Sequence, residues 1–371
     1  MPVGSYNSTK MMNMKEIIDS LESSPIFAIS LSSKELFHSN FWAWLLRRDR
    51  AYLNVFFNLP NADRISREEQ NRDISVYANG KVYVIENKLK SLPQKDQLLR
   101  YQENLEARAE FGSGVITGIM PPSFICPEKW KFLSYGEIGK RVREISEVEK
   151  DEFLKTLIQK YAEMLCKLCE VMTKALDHYG NQLIAGGDCY GLTNIKMDDI
   201  LKKINAEEFI KYLRQSMEKE LRPSIGEYTL LMRTDFYNKS AVIDIRYAKI
   251  ENIKKRTKTE KRETFVIGVQ LQGNQYRRVV QVPDPKTCSD ELWEKYKNKN
   301  WFWEYAAESK LIAGKKTSMR NRYDRYKTDW YLFLYQYWNI ADNSFEALSA
   351  QIKKDMKHAE NIVADDQEAS K

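Results

Sequence analysis

The chain has 371 residues, a formal net charge of +7, five cysteines and three histidines, with 43% hydrophobic residues. That length and apolar share allow two domains with cores of their own, while so few cysteines argue against a disulfide framework and so few histidines leave little for histidine-based metal or acid–base chemistry. No apolar run approaches the roughly 18–20 residues that span a bilayer, and the opening MPVGSYNSTK has no signal-peptide apolar region, so the sequence predicts a soluble cytoplasmic protein whose charge suits a polyanionic partner.

In chain order, residues 14–21 (MKEIIDSL) predict a short amphipathic helix, and Pro25 interrupts a loop over 23–33. Residues 34–48 (KELFHSNFWAWLLRR) carry Leu36, Phe37, Phe41, Trp42, Trp44 and Leu45 at helical spacing, with Ser32 or Ser33 as cap. Glu35, His38 and Ser39 form a polar stripe on that helix. Residues 54–61 read as irregular, and 64–70 as a polar strand at a sheet edge or leading into a hairpin.

Residues 71–101 (NRDISVYANGKVYVIENKLKSLPQKDQLLRY) read as a β-hairpin running into a helix. Alternating apolar residues flank Asn79-Gly80, a pair that tolerates the positive φ angles of a type I′ turn. A two-residue loop pairs Ala78 with Lys81, and the same register sets Asp73 opposite Glu86. Lys88, two residues on, shares their face. The other face holds Ile74, Val76, Tyr83, Ile85 and Leu89, an apolar set fit for a core. Directly opposed carboxylates are unfavourable in a sheet, and a divalent cation turns that penalty into binding. Ser91 then predicts a cap, with Pro93 near the start, for a helix reaching about residue 109. One stripe of it holds Gln94, Gln97, Tyr101 and Asn104.

Residues 114–120 (GVITGIM) predict a buried strand ended by Pro121-Pro122. Residues 130–133 predict another, 137–145 a helix and 151–179 a long helix. The glycine-rich stretch 180–191 is the predicted boundary, giving domains 1–185 and 186–371. The second domain begins with helices at 197–204 and 206–219. Strands come next at 228–233, 241–250, 263–271 and 276–282, with a strongly basic loop, 254–262 (KKRTKTEKR), between the middle two. A second basic stretch with tyrosines spans 314–327. An aromatic strand or buried helix (329–340), a closing helix (344–362) and a disordered tail (364–371) complete the chain. Cys166-x-x-Cys169 lies in a helical pattern without a second pair, and Gly314-Lys315-Lys316-Thr317 lacks the upstream glycine of a phosphate loop, Ser309 standing there.

The hairpin and the helix after it resemble the PD-(D/E)xK nuclease superfamily. Its pattern is an acidic residue on one strand, E-x-K on the next, and often Q-x-x-x-Y on a helix. Here those positions are Asp73, Glu86-Asn87-Lys88, and Gln97 with Tyr101. The upstream helix resembles an uncharacterised bacterial branch reading approximately E..HS.FLAWLL, through Glu35, His38, Ser39, Phe41, Ala43, Trp44, Leu45 and Leu46. The stretch 130–136 and the long helix after it are similar to that branch as well, so the resemblance covers roughly residues 20–180. Arg72 stands where the superfamily often has proline. The resemblance implies an α/β restriction-endonuclease-like core, a central mixed sheet flanked by helices; the later strands and helices predict a C-terminal antiparallel sheet-plus-helices domain, of use in selecting substrate.

It also implies metal-assisted phosphodiester hydrolysis with Mg²⁺ or Mn²⁺. Asp73 and Glu86 would supply carboxylate ligands, the Asn87 backbone carbonyl a third, and Glu35 a further or water-mediated position. Lys88 would orient or deprotonate the attacking water or stabilise the transition state. Gln97 and Tyr101 would hold Lys88, the water or a phosphate oxygen. The plainer reading of Asp73, Glu86 and Lys88 is a solvated strand face with a diagonal ion pair; of His38, a cap or a satisfied core group. In the basic stretches, Lys254, Lys255 and Arg256, and Lys315, Lys316, Arg320 and Arg322, are candidates to track a phosphate backbone, with tyrosines to stack on bases. The leading expectation is a metal-dependent nuclease acting on DNA. The alternative is a catalytically inactive nuclease-fold module that binds nucleic acid or a protein.

Overall fold

The computed structural model describes residues 13–24, 26–27, 30, 35–89, 91–184, 191–237, 240–255, 258–302, 324–328, 331–340 and 342–368. The chain divides into two units: Met1–His178 with Asp188–Ile204, and Tyr179–Gly187 with Asn205–Lys371.

In the first unit, α1 (Met14–Glu22) opens on a capping box. The Asn13 side chain accepts the Glu16 N–H while the Glu16 carboxylate accepts that of Asn13. Next come α2 (Glu35–Arg48) and α3 (Tyr52–Phe57). Residues 52–57 are helical where an irregular segment was expected, because Leu53, Phe56 and Phe57 fall on one turn and are all buried. Strand β1 (Arg64–Arg67) is the edge of a five-stranded sheet that continues in order through β2 (Ile74–Ala78), β3 (Lys81–Lys88), β4 (Phe111–Gly118) and β5 (Trp130–Ser134). The first three strands are antiparallel, and β3, β4 and β5 are parallel.

The β2–β3 hairpin has the expected register, Ala78 on Lys81 through Ile74 on Ile85. Its turn is held by Asn79 at φ 51° and Gly80 at φ 69°. The face expected to be apolar is so: Ile74, Val76, Ile85 and Leu89 are buried. The opposite face is buried too. Val82, Val84 and Ile116 pack with Leu98 and Leu105 of α4 (Lys95–Glu106) and with Phe111 and Trp130. Strands of a parallel sheet are commonly covered on both faces, so Glu86 stands among core residues and not on a solvated strand face.

Helix α4 differs from expectation at its start. Its N-cap is Gln94, with no side-chain cap bond; Ser91 is engaged instead by the Glu35 carboxylate. Helix α5 (Tyr135–Val148) begins on a second capping box, Ser134 with Glu137. It packs against α6 (Glu152–Tyr179) at Gly139, where an added Cβ would meet Cys166 Sγ at 2.8 Å and the Ala162 carbonyl at 3.0 Å. The long apolar stripe of α6, including Leu154, Ile158, Tyr161, Leu165, Leu168 and Met172, is buried.

One helix, α7 (Asp198–Met217), stands where two were expected over 197–204 and 206–219, since Asn205-Ala206 contains no helix breaker. Its residues from 205 onward belong to the second unit. There, β6 (Ser224–Ile225), β7 (Tyr228–Tyr237), β8 (Ser240–Lys255), β9 (Lys258–Gln272), β10 (Gln275–Val282), β11 (Asp324–Lys327) and β12 (Leu332–Asn339) form a seven-stranded antiparallel sheet ordered β11-β12-β10-β9-β8-β7-β6. The expected basic loop is instead largely the arms of a long hairpin, paired from Ile250 on Glu263 out to Lys255 on Lys258. The ladder simply continues past the apolar residues that marked the strands. Helices α8 (Ser289–Asn298) and α9 (Phe345–Glu368) complete the unit. The tail expected to be disordered is helical through Glu368; Ile362 and Val363 are buried and anchor that last part.

The core of this unit includes Phe209, Leu213, Ile245, Ile267, Val280, Leu334, Ile352 and Met356. Within it Arg278 Nη2 meets Asp355 Oδ1 at 2.8 Å. Tyr276 OH and Arg278 Nε both donate to Asp355 Oδ2. Among the described residues, no helix is long and apolar enough to cross a membrane.

Candidate active site

The last three residues of β3 are Glu86-Asn87-Lys88, and strand alternation sends their side chains to different sides of the sheet. Glu86 and Lys88 point toward α4. Glu86 Oε1 accepts from Lys88 Nζ at 2.9 Å and from Gln97 Nε2 at 2.8 Å. Gln97 and Tyr101, one turn apart on α4, are linked at 2.8 Å, and Tyr101 OH donates to the Asn71 carbonyl at 2.5 Å. The helix thereby ties β3 to the turn preceding Asp73. Asp73 lies just ahead of β2, and its Oδ2 accepts the backbone N–H of Asn87 at 2.7 Å.

The Asn87 side chain goes the other way and is wholly buried. Its Nδ2 donates to the Glu35 carbonyl at 2.8 Å and to Ser39 Oγ at 2.9 Å. Its Oδ1 accepts from Thr117 Oγ1 at 3.2 Å and from Tyr135 OH. One residue thus joins α2, β3, β4 and α5. Glu35 Oε1 accepts from both the N–H and the hydroxyl of Ser91, at 2.9 and 2.6 Å, so this carboxylate pins the segment that comes after Lys88.

The electrostatics arise from burial. Glu86 is 2% exposed. Loss of water, then the negative charge of Asp73, push its carboxyl up to about 7 against the pull of Lys88. Burial pushes Asp73 up as well, opposed by the Asn87 N–H and Lys88, with Glu35 adding to the rise. For Lys88, burial works against the ammonium, yet Glu86, Glu35 and Asp73 together carry it above the ordinary lysine value. Lys88 is therefore charged, and the paired carboxylates share a single nearby cationic side chain among the groups that shift them, apart from Arg67 beside Asp73.

Glu86 Oε2 is buried and takes no hydrogen bond from the described residues. An orphaned carboxylate oxygen is expensive unless a donor or cation meets it. Among the described residues no three His, Cys, Asp or Glu side chains gather closely enough to hold an ion by themselves. The donor set is instead two carboxylates beside a strand end, which suits Mg²⁺, an ion that takes one or two carboxylates and keeps several waters. Asp73, Glu86, Lys88, Gln97 and Tyr101 are thus in one hydrogen-bonded and electrostatic cluster. Glu35 reaches it through its field and through Asn87.

His38 lies apart from this cluster. Burial drives its ring down to about 3, leaving it neutral, with Nδ1 2.8 Å from Tyr161 OH. It belongs to the packing of α2 on α6. The candidates Arg256, Lys315, Lys316, Arg320 and Arg322 lie outside the described residues, as do the side chains of Lys254 and Lys255. Sequence reasoning missed the Glu35–Ser91 link and the Asn87 side-chain hub. The only signal for the latter was an amide between the two charged residues of E-N-K. It also missed Tyr135, a helix-start residue that reads as ordinary core.

A family described as the PD-(D/E)XK nuclease superfamily matches residues 54–163. Asp73, Glu86, Asn87, Lys88, Gln97 and Tyr101 lie within the match, and Glu35 lies upstream of it. The five-stranded mixed sheet and its helices agree with that fold, and the match points to a nuclease, a class that generally uses divalent metals. No curated protein and no solved structure matches the chain significantly.

Proposed function

We propose, starting from the match of residues 54–163 to the PD-(D/E)XK nuclease superfamily, that this protein is a metal-dependent nuclease hydrolysing phosphodiester bonds in DNA. The supporting observation is Glu86: buried, pushed up to about 7, with one oxygen shared by Lys88 and Gln97 and the other without a partner among the described residues. Asp73, Glu86 and the Asn87 backbone carbonyl are the groups to hold Mg²⁺ or Mn²⁺. When bound, such an ion would supply a more acidic water and would offset negative charge developing on the phosphate.

The side chains divide the remaining work. Lys88, as an ammonium, orients the attacking water and stabilises charge building on a phosphoryl oxygen. Gln97 fixes the Glu86 oxygen that Lys88 also binds, and Tyr101 fixes Gln97. Asn87 sets the strand end through its side chain while its N–H orients Asp73. Glu35 supports the segment after Lys88 and deepens the negative potential at both carboxylates, which favours a cation further.

The test is incubation with plasmid, single-stranded DNA and RNA, in Mg²⁺ or Mn²⁺ and in chelator. Metal-dependent DNA hydrolysis that disappears in Asp73→Ala and Lys88→Ala is the expected result. Binding without cleavage by the wild-type chain defeats the enzymatic reading.

A further inference from the structure

A cleft of about 400 Å³ opens between the turn before β2 and the outer stripe of α4. Gln97 and Tyr101 form its wall toward the candidate site, and Gln70, Asn71, Arg72, Arg100 and Asn104 complete it. That volume is within the range of small-ligand sites. Gln97 is the connection: it lines the cleft and donates to Glu86. Whatever occupies the cleft therefore lies one side chain from the carboxylates.

Its lining has no acidic residue and two guanidinium groups. Arg72 is 3% exposed, and its side chain makes one hydrogen bond among the described residues, from Nε to Ser75 Oγ at 2.9 Å. Neither Arg72 nor Arg100 is in an ion pair among the described residues. The Arg72 Nη groups are not among the buried groups without a partner, so they open on the cleft, and the planar donor fork of a guanidinium matches a phosphate. The turn itself is strained. Glu68, Gln70 and Asn71 all have positive φ, at 55°, 56° and 63°, and the Tyr101 hydroxyl holds the Asn71 carbonyl. Non-glycine residues held this way cluster at ligand-binding and active sites. The amides of Gln70, Asn71 and Asn104 add groups that both donate and accept, suited to a base edge or sugar.

We propose that this cleft is a nucleotide subsite, in which Arg72 and Arg100 hold a phosphate of the nucleic-acid strand next to the scissile one. The assignment rests on the nuclease reading for its ligand, and it adds a register: α4 supplies Gln97 and Tyr101 to the carboxylates and Arg100 to the neighbouring nucleotide. The strand enters between the strained turn and α4.

The experiment measures binding, not cleavage. Fluorescently labelled duplex DNA, single-stranded DNA and RNA of one sequence are titrated with the full-length chain in Ca²⁺ over a series of salt concentrations. Arg100→Gln should weaken binding several-fold for at least one of these and lower the log–log salt slope by about 1. Lys95→Gln removes an exposed charge from the same helix outside the cleft and should leave affinity close to wild type. Arg72→Gln should weaken binding by a similar factor at a temperature well below its melting transition, which is recorded for each chain because the change also removes the donor to Ser75 Oγ. Unchanged affinity in Arg100→Gln or Arg72→Gln, or an equal loss in Lys95→Gln, overturns the subsite. A chain that binds in this pattern but cleaves nothing in Mn²⁺ defeats the nuclease reading alone.

Discussion

Replacing Glu86 by glutamine tests whether the carboxylate pair is held under electrostatic strain that a cation relieves. The folded carboxyl titrates near 7, against 4.5 for an unhindered glutamate. The folded chain therefore binds this proton more tightly than the unfolded chain does. The associated stability is fully present below pH 4.5 and is lost as pH rises through about 7. The gap corresponds to about 3 kcal/mol, at about 1.4 kcal/mol per unit, and Glu86 is too deeply buried for solvent to screen it. Glu86→Gln keeps an acceptor for Lys88 and Gln97. It places an amide N–H where Oε2 has no partner, a cost of about 1–3 kcal/mol that does not vary with pH. Urea denaturation of both chains in chelator should show the variant gaining on wild type by about 3 kcal/mol from about pH 5 to about pH 8. Mn²⁺ at the upper pH should stabilise wild type and leave the variant almost unmoved. A stability difference that stays flat with pH would refute the reasoning, since it would mean that Glu86 ionises freely in the folded state.

Asn87→Ala strips four hydrogen bonds from a wholly buried position. It should lower stability by about 3 kcal/mol, read by urea denaturation, and abolish cleavage even where the chain stays folded. Gly80→Ala meets no steric obstacle but forces alanine to φ 69°, so it should cost about 1 kcal/mol in the same measurement without changing which substrates are cut. Asp355→Ala leaves Arg278, 4% exposed, without its carboxylate. It should cost about 3–5 kcal/mol, visible as a lower melting temperature of the second unit.

The hairpin was readable because its rules are local. Asn79-Gly80 demands positive φ, that fixes a two-residue loop, and the loop fixes the register that carries Asp73 toward Glu86. The alternation of strand faces then separated Lys88 from the apolar set. What was not readable depended on three-dimensional neighbours. Ser91 obeys the rules for a helix cap, yet Glu35 from a distant helix takes both its donors. The solvated strand face that was the plainer reading of Glu86 does not hold, because α4 covers that face, and this burial is the first cause of the raised carboxyl. Residues 52–57 are too few for helical periodicity to show, and only the buried Leu53, Phe56 and Phe57 explain the turn they make. In the second unit the length of β8 and β9 was underestimated because a ladder continues through polar residues once its apolar part has set the pairing.

The most direct test of metal-dependent hydrolysis at this site is single-turnover cleavage of an end-labelled DNA duplex as a function of Mn²⁺ concentration. Wild type should cleave with saturable metal dependence. Lys88→Ala should slow the saturated rate by about 10²–10³-fold, the loss expected when one transition-state donor is removed. Glu86→Gln should shift the metal dependence to much higher concentration. Equal rates and equal metal dependence in all three chains would contradict the assignment of Glu86 and Lys88 to the catalytic centre.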